Sequence, residues 1–137
     1  MTPDDIELVE GDVAHLSASA DRFTAEFYAT LFDLDPDVRR LFPADIDAQR
    51  AKLFEELGVL VSRATQIVDD DSVAAFVARA HELGERHEVY GVTAPMYRLV
   101  EISLLAALRD VVPDFDDGHE RAWTRLYRLV AGSMQDG

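Results

Sequence analysis

The sequence predicts an all-α protein. Apolar residues recur at helical spacing along nearly the whole chain, without the alternation of strands, and the breaks between runs fall on Pro, Gly and Asp clusters. The third observation is size. A chain of 137 residues with 48% apolar content suits one ordinary domain with a real core, so the reading is a single domain over residues 1–137. About six long helices joined by short connecting turns fill it.

Thr2-Pro3-Asp4-Asp5 reads as a helix start: a hydroxyl cap, proline in the first turn, and acids at the positive end of the helix dipole. Ile6, Val9, Val13 and Leu16 then form one stripe. Phe23, Phe27, Leu31 and Leu34 form the next, which ends at Asp35-Pro36 with a short helix expected beyond. Leu53, Leu57, Leu60 and Val61 mark a third long helix. Phe76, Val77, Ala80 and Leu83 mark a fourth, stopped by Gly91 as the residue just past the helix end. Tyr97, Val100, Leu104 and Leu108 mark a fifth. Asp117 with Glu120 three later resembles a capping box for the last helix, which carries Trp123, Leu126, Tyr127, Val130 and Met134.

Composition excludes several classes of function. Asp plus Glu number 27 against 13 Lys plus Arg, a formal net charge of −14. Such a chain is repelled by phosphate backbones and anionic lipid, so neither nucleic acid nor a membrane surface is an expected partner. Cysteine is absent, which rules out disulfides, iron–sulfur clusters, thiolate zinc sites, thiol catalysis and thioether attachment of haem. No apolar run approaches a membrane span and the acidic N-terminus has no signal core, so a cytoplasmic location is expected. Lys52 is the one lysine among the basic residues; the rest are arginine. The histidines His15, His81, His87 and His119 make no HExxH face, and neither a GxSxG elbow nor a Gly-rich phosphate loop is present.

One ordered set of residues remains. Phe27-Tyr28 precedes Leu31-Phe32, Asp35-Pro36 and Leu41-Phe42-Pro43. Gln49, Lys52 and Leu53 follow, then Arg86-His87, Tyr90-Gly91-Val92 and Tyr97. Through FYATLFDLDPDVRRLFPADIDAQRAKLF (27–54), LGERHEVYGVTAPMYRLVEISLLAAL (83–108) and the AWTRLYRLVAGSM tail, the chain resembles the globins. The similarity is greatest to bacterial single-domain globins and the haem domain of flavohaemoglobins, with some likeness to neuroglobin. The resemblance spans most of the chain in the right order and implies a globin fold, with crossed helices around a haem pocket.

It also implies roles. His87 falls where globins place the proximal histidine, which binds haem iron through Nε2 while a carbonyl of its own helix holds Nδ1–H. Gln49 and His87 lie 38 positions apart, about six more than the resemblance implies, whereas His81 would need no insertion. Six residues turn a helix by about 600°, so the two imidazoles point in different directions. Only His87 is followed by Tyr-Gly-Val and by a tyrosine ten residues on. The extra residues are therefore placed in RATQIVDDD, with His81 left to solvent.

Phe42 matches the phenylalanine that stacks on the porphyrin. Tyr28 and Gln49 match the distal donors and Leu53 the apolar distal wall, with Gln49 and Leu53 on one face at i, i+4. Dioxygen on the iron draws partial negative charge, so a phenol or amide donor favours it over carbon monoxide. Lys52 matches a residue that reaches a haem propionate, while Val92, Val100 and Leu104 match apolar haem contacts. Each also has an ordinary reading: Phe42, Val92, Val100 and Leu104 as core, Tyr28 as a core tyrosine bonded to a carbonyl, Gln49 and Lys52 as solvated helix residues. Tyr97 matches a tyrosine that, in flavohaemoglobins, joins a late glutamate in polarising the proximal histidine. Counted from Trp123 that glutamate would fall at about position 138, and Asp136 is out of register, so peroxidase-like activation is not expected.

The implied cofactor is non-covalent haem b with its iron. The implied partners are the diatomic gases O2, NO and CO, with an external reductase for any redox turnover, in a monomer or homodimer. Oxygen binding and transport, or gas scavenging, is the first functional expectation. NO dioxygenase activity converting NO to nitrate, a haem-based gas sensor and a haem-free helical domain are the alternatives.

Overall fold

The computed structural model describes residues 2–67, 69–89 and 91–135. Among these there are six α-helices and no strand: α1 (Pro3–Ala18), α2 (Ala20–Leu34), α3 (Asp47–Thr65), α4 (Asp70–Val89), α5 (Ala94–Val111) and α6 (Asp117–Gln135). A short 3-10 helix, Pro36–Leu41, joins α2 to α3. Tyr90 and Asp136, both part of the sequence reading, lie outside the described residues.

Local chemistry explains the helix ends. Thr2 and Asp5 form a reciprocal capping box: the Asp5 N–H donates to Thr2 Oγ1 at 3.2 Å, and the Thr2 N–H to Asp5 Oδ2 at 2.9 Å. Asp35 caps the 3-10 helix through the Asp37 N–H. Asp69 caps α4, accepting from the Ser72 N–H at 2.8 Å. At α6 the expected box on Asp117 and Glu120 is shifted by one residue. Asp116 is the cap, accepting from the His119 N–H at 3.1 Å, because a carboxylate bonds the third amide of the helix and that amide belongs to His119.

The helices cross and pack in pairs. α2 packs most heavily on α5, α4 on α6 and α1 on α6. Phe23, Phe27 and Leu31 bury one face of α2, and Leu104, Leu105 and Leu108 bury one of α5. Phe76, Ala80 and Leu83 bury the inner face of α4, while Trp123, Leu126 and Val130 bury that of α6. Two residues of the expected stripes face outward instead. Leu34 is 44% exposed and Val77 39%. Leu34 is the last residue of its helix, and Val77 follows Phe76 by one residue, a rotation of about 100° off the buried face.

Polar contacts tie the pairs together. Buried Asp12 on α1 accepts from Trp123 Nε1 on α6 at 2.8 Å, and His119 Nδ1 stands 2.8 Å from the same oxygen. Arginines bridge other helices: Arg22 to Asp110, Arg79 to Glu56 and Arg125 to Asp5. Arg50 on α3 donates to the Asp21 carbonyl at 2.6 Å and to Thr24 Oγ1 at 3.0 Å on α2. No helix among the described residues is long and apolar enough to cross a membrane.

Asp12→Ala would leave the Trp123 N–H buried without an acceptor. The expected loss is about 3 kcal/mol of unfolding free energy, read by urea denaturation. The Thr2 backbone N–H, and after it the Arg125 guanidinium, hold the Asp5 carboxyl below its ordinary value against the opposing effect of burial. Its folded value lies below its unfolded one, so its stabilising contribution is complete above about pH 4 and is lost as pH falls through the lowered folded value. Asp5→Asn is therefore expected to lower stability at neutral pH and to flatten the acid limb of a stability–pH curve.

Candidate functional site

His87 lies in the last turn of α4, where two contacts fix it. Its Nδ1 stands 2.6 Å from the Leu83 carbonyl one turn back. A carbonyl only accepts, so Nδ1 carries a proton, and in the neutral imidazole that leaves Nε2 as the nitrogen with the lone pair. The helix then ends in a Schellman arrangement: the Val92 N–H donates to the His87 carbonyl at 3.0 Å and the Gly91 N–H to the Glu88 carbonyl at 3.0 Å. Gly91 takes φ +92°, a left-handed conformation that glycine adopts without strain. Val92, expected as an apolar contact, is half-buried and also terminates the helix that carries His87.

His81 does not share this setting. Its side chain is 38% exposed and its Nδ1 stands 3.5 Å from Glu85 on the same helix. The imidazole is thus partly covered rather than fully solvated.

Tyr28 and Phe42 come together. The Tyr28 ring centroid lies 5.5 Å from that of Phe42 and 5.7 Å from that of Phe32, and Phe32 lies 5.6 Å from Phe42. Phe27 adds an edge-on contact to Tyr28 at 5.0 Å. Such edge and tilted pairs add about 0.5–1.5 kcal/mol each beyond area burial and hold ring orientation. Burial pushes the Tyr28 phenol above its ordinary value, and the nearby Gln49 amide offsets part of that rise. Tyr28 therefore stays a neutral O–H donor at neutral pH.

Gln49, Lys52 and Leu53 share α3. Gln49 and Leu53 are half-buried, whereas Lys52 is exposed. On α5, Val100 is half-buried and Leu104 buried. Leu53, Leu57, Met96, Val100 and Phe42 pack against the core yet remain only partly covered by protein. Half-buried apolar side chains on α3, on α5 and at the corner between α2 and α3 are the kind a flat hydrophobic group would need. Tyr97 on α5 is half-buried; burial, and then the Glu88 carboxylate, push its phenol up. Its carbonyl accepts from the Tyr127 hydroxyl at 2.5 Å. Burial, then Glu101 and then Tyr97, push the Tyr127 phenol up as well.

The sequence reading missed Arg39. Its Nη1 donates to the Pro43 carbonyl at 2.7 Å and the Phe42 carbonyl at 3.3 Å, and its Nη2 to the Ala44 carbonyl at 2.7 Å. The guanidinium carbon lies 5.3 Å from the Phe32 ring centroid. One side chain thus clamps the corner that carries Phe42. A surface groove of about 550 Å³ lies elsewhere, lined by Asp4, Glu7, Leu8, Gly11, Asp12, His15, Pro113 and His119, none of them an expected site residue.

Comparison with known proteins identifies the architecture. The family model described as Globin matches residues 25–134. The chain belongs to the globin family. This globin is 22% identical over 130 residues to a flavohemoprotein of Bacillus subtilis (strain 168), covering 94% of this chain and 32% of the relative. It is 26% identical over 129 residues to a flavohemoprotein of Bacillus cereus (strain ATCC 10987 / NRS 248), covering 94% and 31%. It is 26% identical over 132 residues to one of Bordetella pertussis, covering 96% and 32%. The globin spans about a third of the length of these curated relatives. The family match begins within α2, so α1 lies outside it although α1 packs on α6.

Arg39→Ala should release the 42–44 backbone. The expected cost is about 1–2 kcal/mol in chemical denaturation, with a weakened near-ultraviolet dichroism signal from the Tyr28, Phe32 and Phe42 cluster.

Proposed function

We propose that this globin binds non-covalent b-type haem with His87 as the iron ligand, and that its act is reversible binding of O2, and of NO and CO. The observation that carries the reading is the contact of His87 Nδ1 with the Leu83 carbonyl, which in the neutral imidazole leaves Nε2 as the nitrogen open to a metal. That donor set fits a metal whose other positions are already filled by a macrocycle, since among the described residues no three metal-ligating side chains come together. Half-buried Phe42, Leu53, Val92 and Val100, with buried Leu104, are the apolar contacts this reading gives to a porphyrin face, and exposed Lys52 is available to a propionate. When bound, the haem iron supplies the centre at which a diatomic gas is held.

This chain's own residues then set selectivity. Tyr28, neutral and fixed by its aromatic neighbours, donates a hydrogen bond to a ligand that has drawn negative charge. Gln49 is the second donor and Leu53 the apolar neighbour that limits water. A bond to a charged acceptor contributes about 1.5–3 kcal/mol, or roughly 10–100-fold in affinity. Tyr97 shares the charge environment of Glu88, the residue after His87, and so stands on the proximal side of the reading.

A second reading is favoured by the named relatives, which are flavohemoproteins three times as long. In it the same site serves as an NO dioxygenase that yields nitrate, with electrons from an external reductase. Turnover of NO with a supplied reductase separates it from simple gas binding.

An absorption spectrum of hemin-loaded protein in ferric, ferrous and carbonyl forms tests the proposal. His87→Ala should abolish or grossly alter the Soret band, and His81→Ala should leave it unchanged; the reverse pattern would transfer the ligand role to His81. Tyr28→Phe should raise the O2 off-rate about 10-fold or more. An unchanged rate removes Tyr28 from the donor role.

A further inference from the structure

Gly84 lies on α4, one residue after Leu83 and three before His87, and it is buried. A Cβ built on it would fall 1.9 Å from the Met134 carbonyl oxygen, 2.6 Å from the carbonyl carbon and 2.7 Å from the Met134 Cα. All three are backbone atoms in the last turn of α6, so no side-chain rotation can make room. The helical glycines Gly11, Gly58 and Gly132 differ, for a Cβ on any of them would meet nothing within 4 Å. At Gly84, then, α4 and α6 cross at backbone contact.

We propose that Gly84 is a positioning residue for His87: its contact with the Met134 backbone sets how closely α4 stands on α6, and so where the imidazole meets the iron. The inference rests on the haem-binding reading above. The route is short. Leu83, beside Gly84, is buried and supplies the carbonyl that holds His87 Nδ1. A methyl group at 84 would drive the helices about 1.5 Å apart to restore ordinary contact distance. Metal–ligand bonds tolerate only about 0.2 Å. The displacement exceeds that tolerance several-fold, so His87 would stand outside the range over which it could hold the iron. Helix propensity acts the other way, since alanine is the better helix former and would otherwise favour the substitution.

The test compares wild type, Gly84→Ala and Gly132→Ala as full-length, hemin-loaded protein. The readouts are the iron–histidine stretching band of the reduced, ligand-free form by resonance Raman, and the rate of hemin loss to an acceptor in excess. Gly84→Ala is expected to shift or broaden the band and to lose hemin at least about tenfold faster, while Gly132→Ala matches wild type. A folded Gly84→Ala with the wild-type band and loss rate overturns the inference alone. A wild type that takes up no hemin overturns the haem reading together with it. Where Gly84→Ala does not fold, Ser133→Pro alone is read in its place, since it breaks the last turn of α6 and withdraws the Met134 backbone. A folded Ser133→Pro with a shifted band and faster hemin loss supports the inference, and one with the wild-type band and loss rate overturns it.

Discussion

The 2.6 Å contact between His87 Nδ1 and the Leu83 carbonyl is the interaction on which the rest of the site depends. An imidazole free to rotate, or protonated on either nitrogen, is a weak and undirected ligand. Holding Nδ1–H to a helix carbonyl chooses the tautomer, fixes the ring plane and raises the basicity of Nε2. The surrounding fold protects that one bond. Gly91 stops the helix beyond it, Leu83 is buried beneath it, and α6 lies against its back at Gly84. The proposed gas chemistry follows only from a nitrogen held in this way.

On the other side the constraint is aromatic. Phe27, Phe32 and Phe42 surround Tyr28, and Arg39 pins the loop that carries Phe42. The phenol is thereby both oriented and kept protonated, since burial disfavours its anion. The arginine bias has a related meaning. Arg39 reaches three carbonyls at once, Arg22 makes a two-pronged contact with Asp110, and Arg50 spans a carbonyl and a hydroxyl. A planar fork can do this and an ammonium cannot. In a chain with a net charge of −14, the cations are used as braces between acidic helices.

Much of this was legible in the sequence, and the gaps have physical reasons. Helix count, the Thr2 start, the short helix after Pro36 and the Gly91 stop all follow from local rules, because caps and glycines act on their own neighbours. The cap of α6 was misread by one residue, since three adjacent-looking carboxylates offer the same signal and only geometry chooses among them. Leu34 and Val77 fall on inward stripes by spacing yet face outward, because periodicity gives a face and not its width. The family resemblance assigns Tyr28 and Phe42 to one haem site, and their ring contact appears only in the fold. Arg39 carries no motif, and Asp12, Trp123 and His119 join residues more than 100 positions apart, which no window along the chain can see. Gly84 looked like any other helical glycine until the neighbouring helix was in place.

Trp123 has a consequence of its own. It is the sole tryptophan, 1% exposed, with its indole N–H on a buried carboxylate. Every photon of indole emission from this molecule therefore comes from one sheltered spot, where α1 docks on the bundle. An intensely absorbing pigment housed anywhere within so small a body would drain that emission by resonance energy transfer. The molecule thus carries a native optical gauge, dark when a chromophore is aboard, bright and blue when the interior is intact but vacant, and red-shifted when α1 lets go.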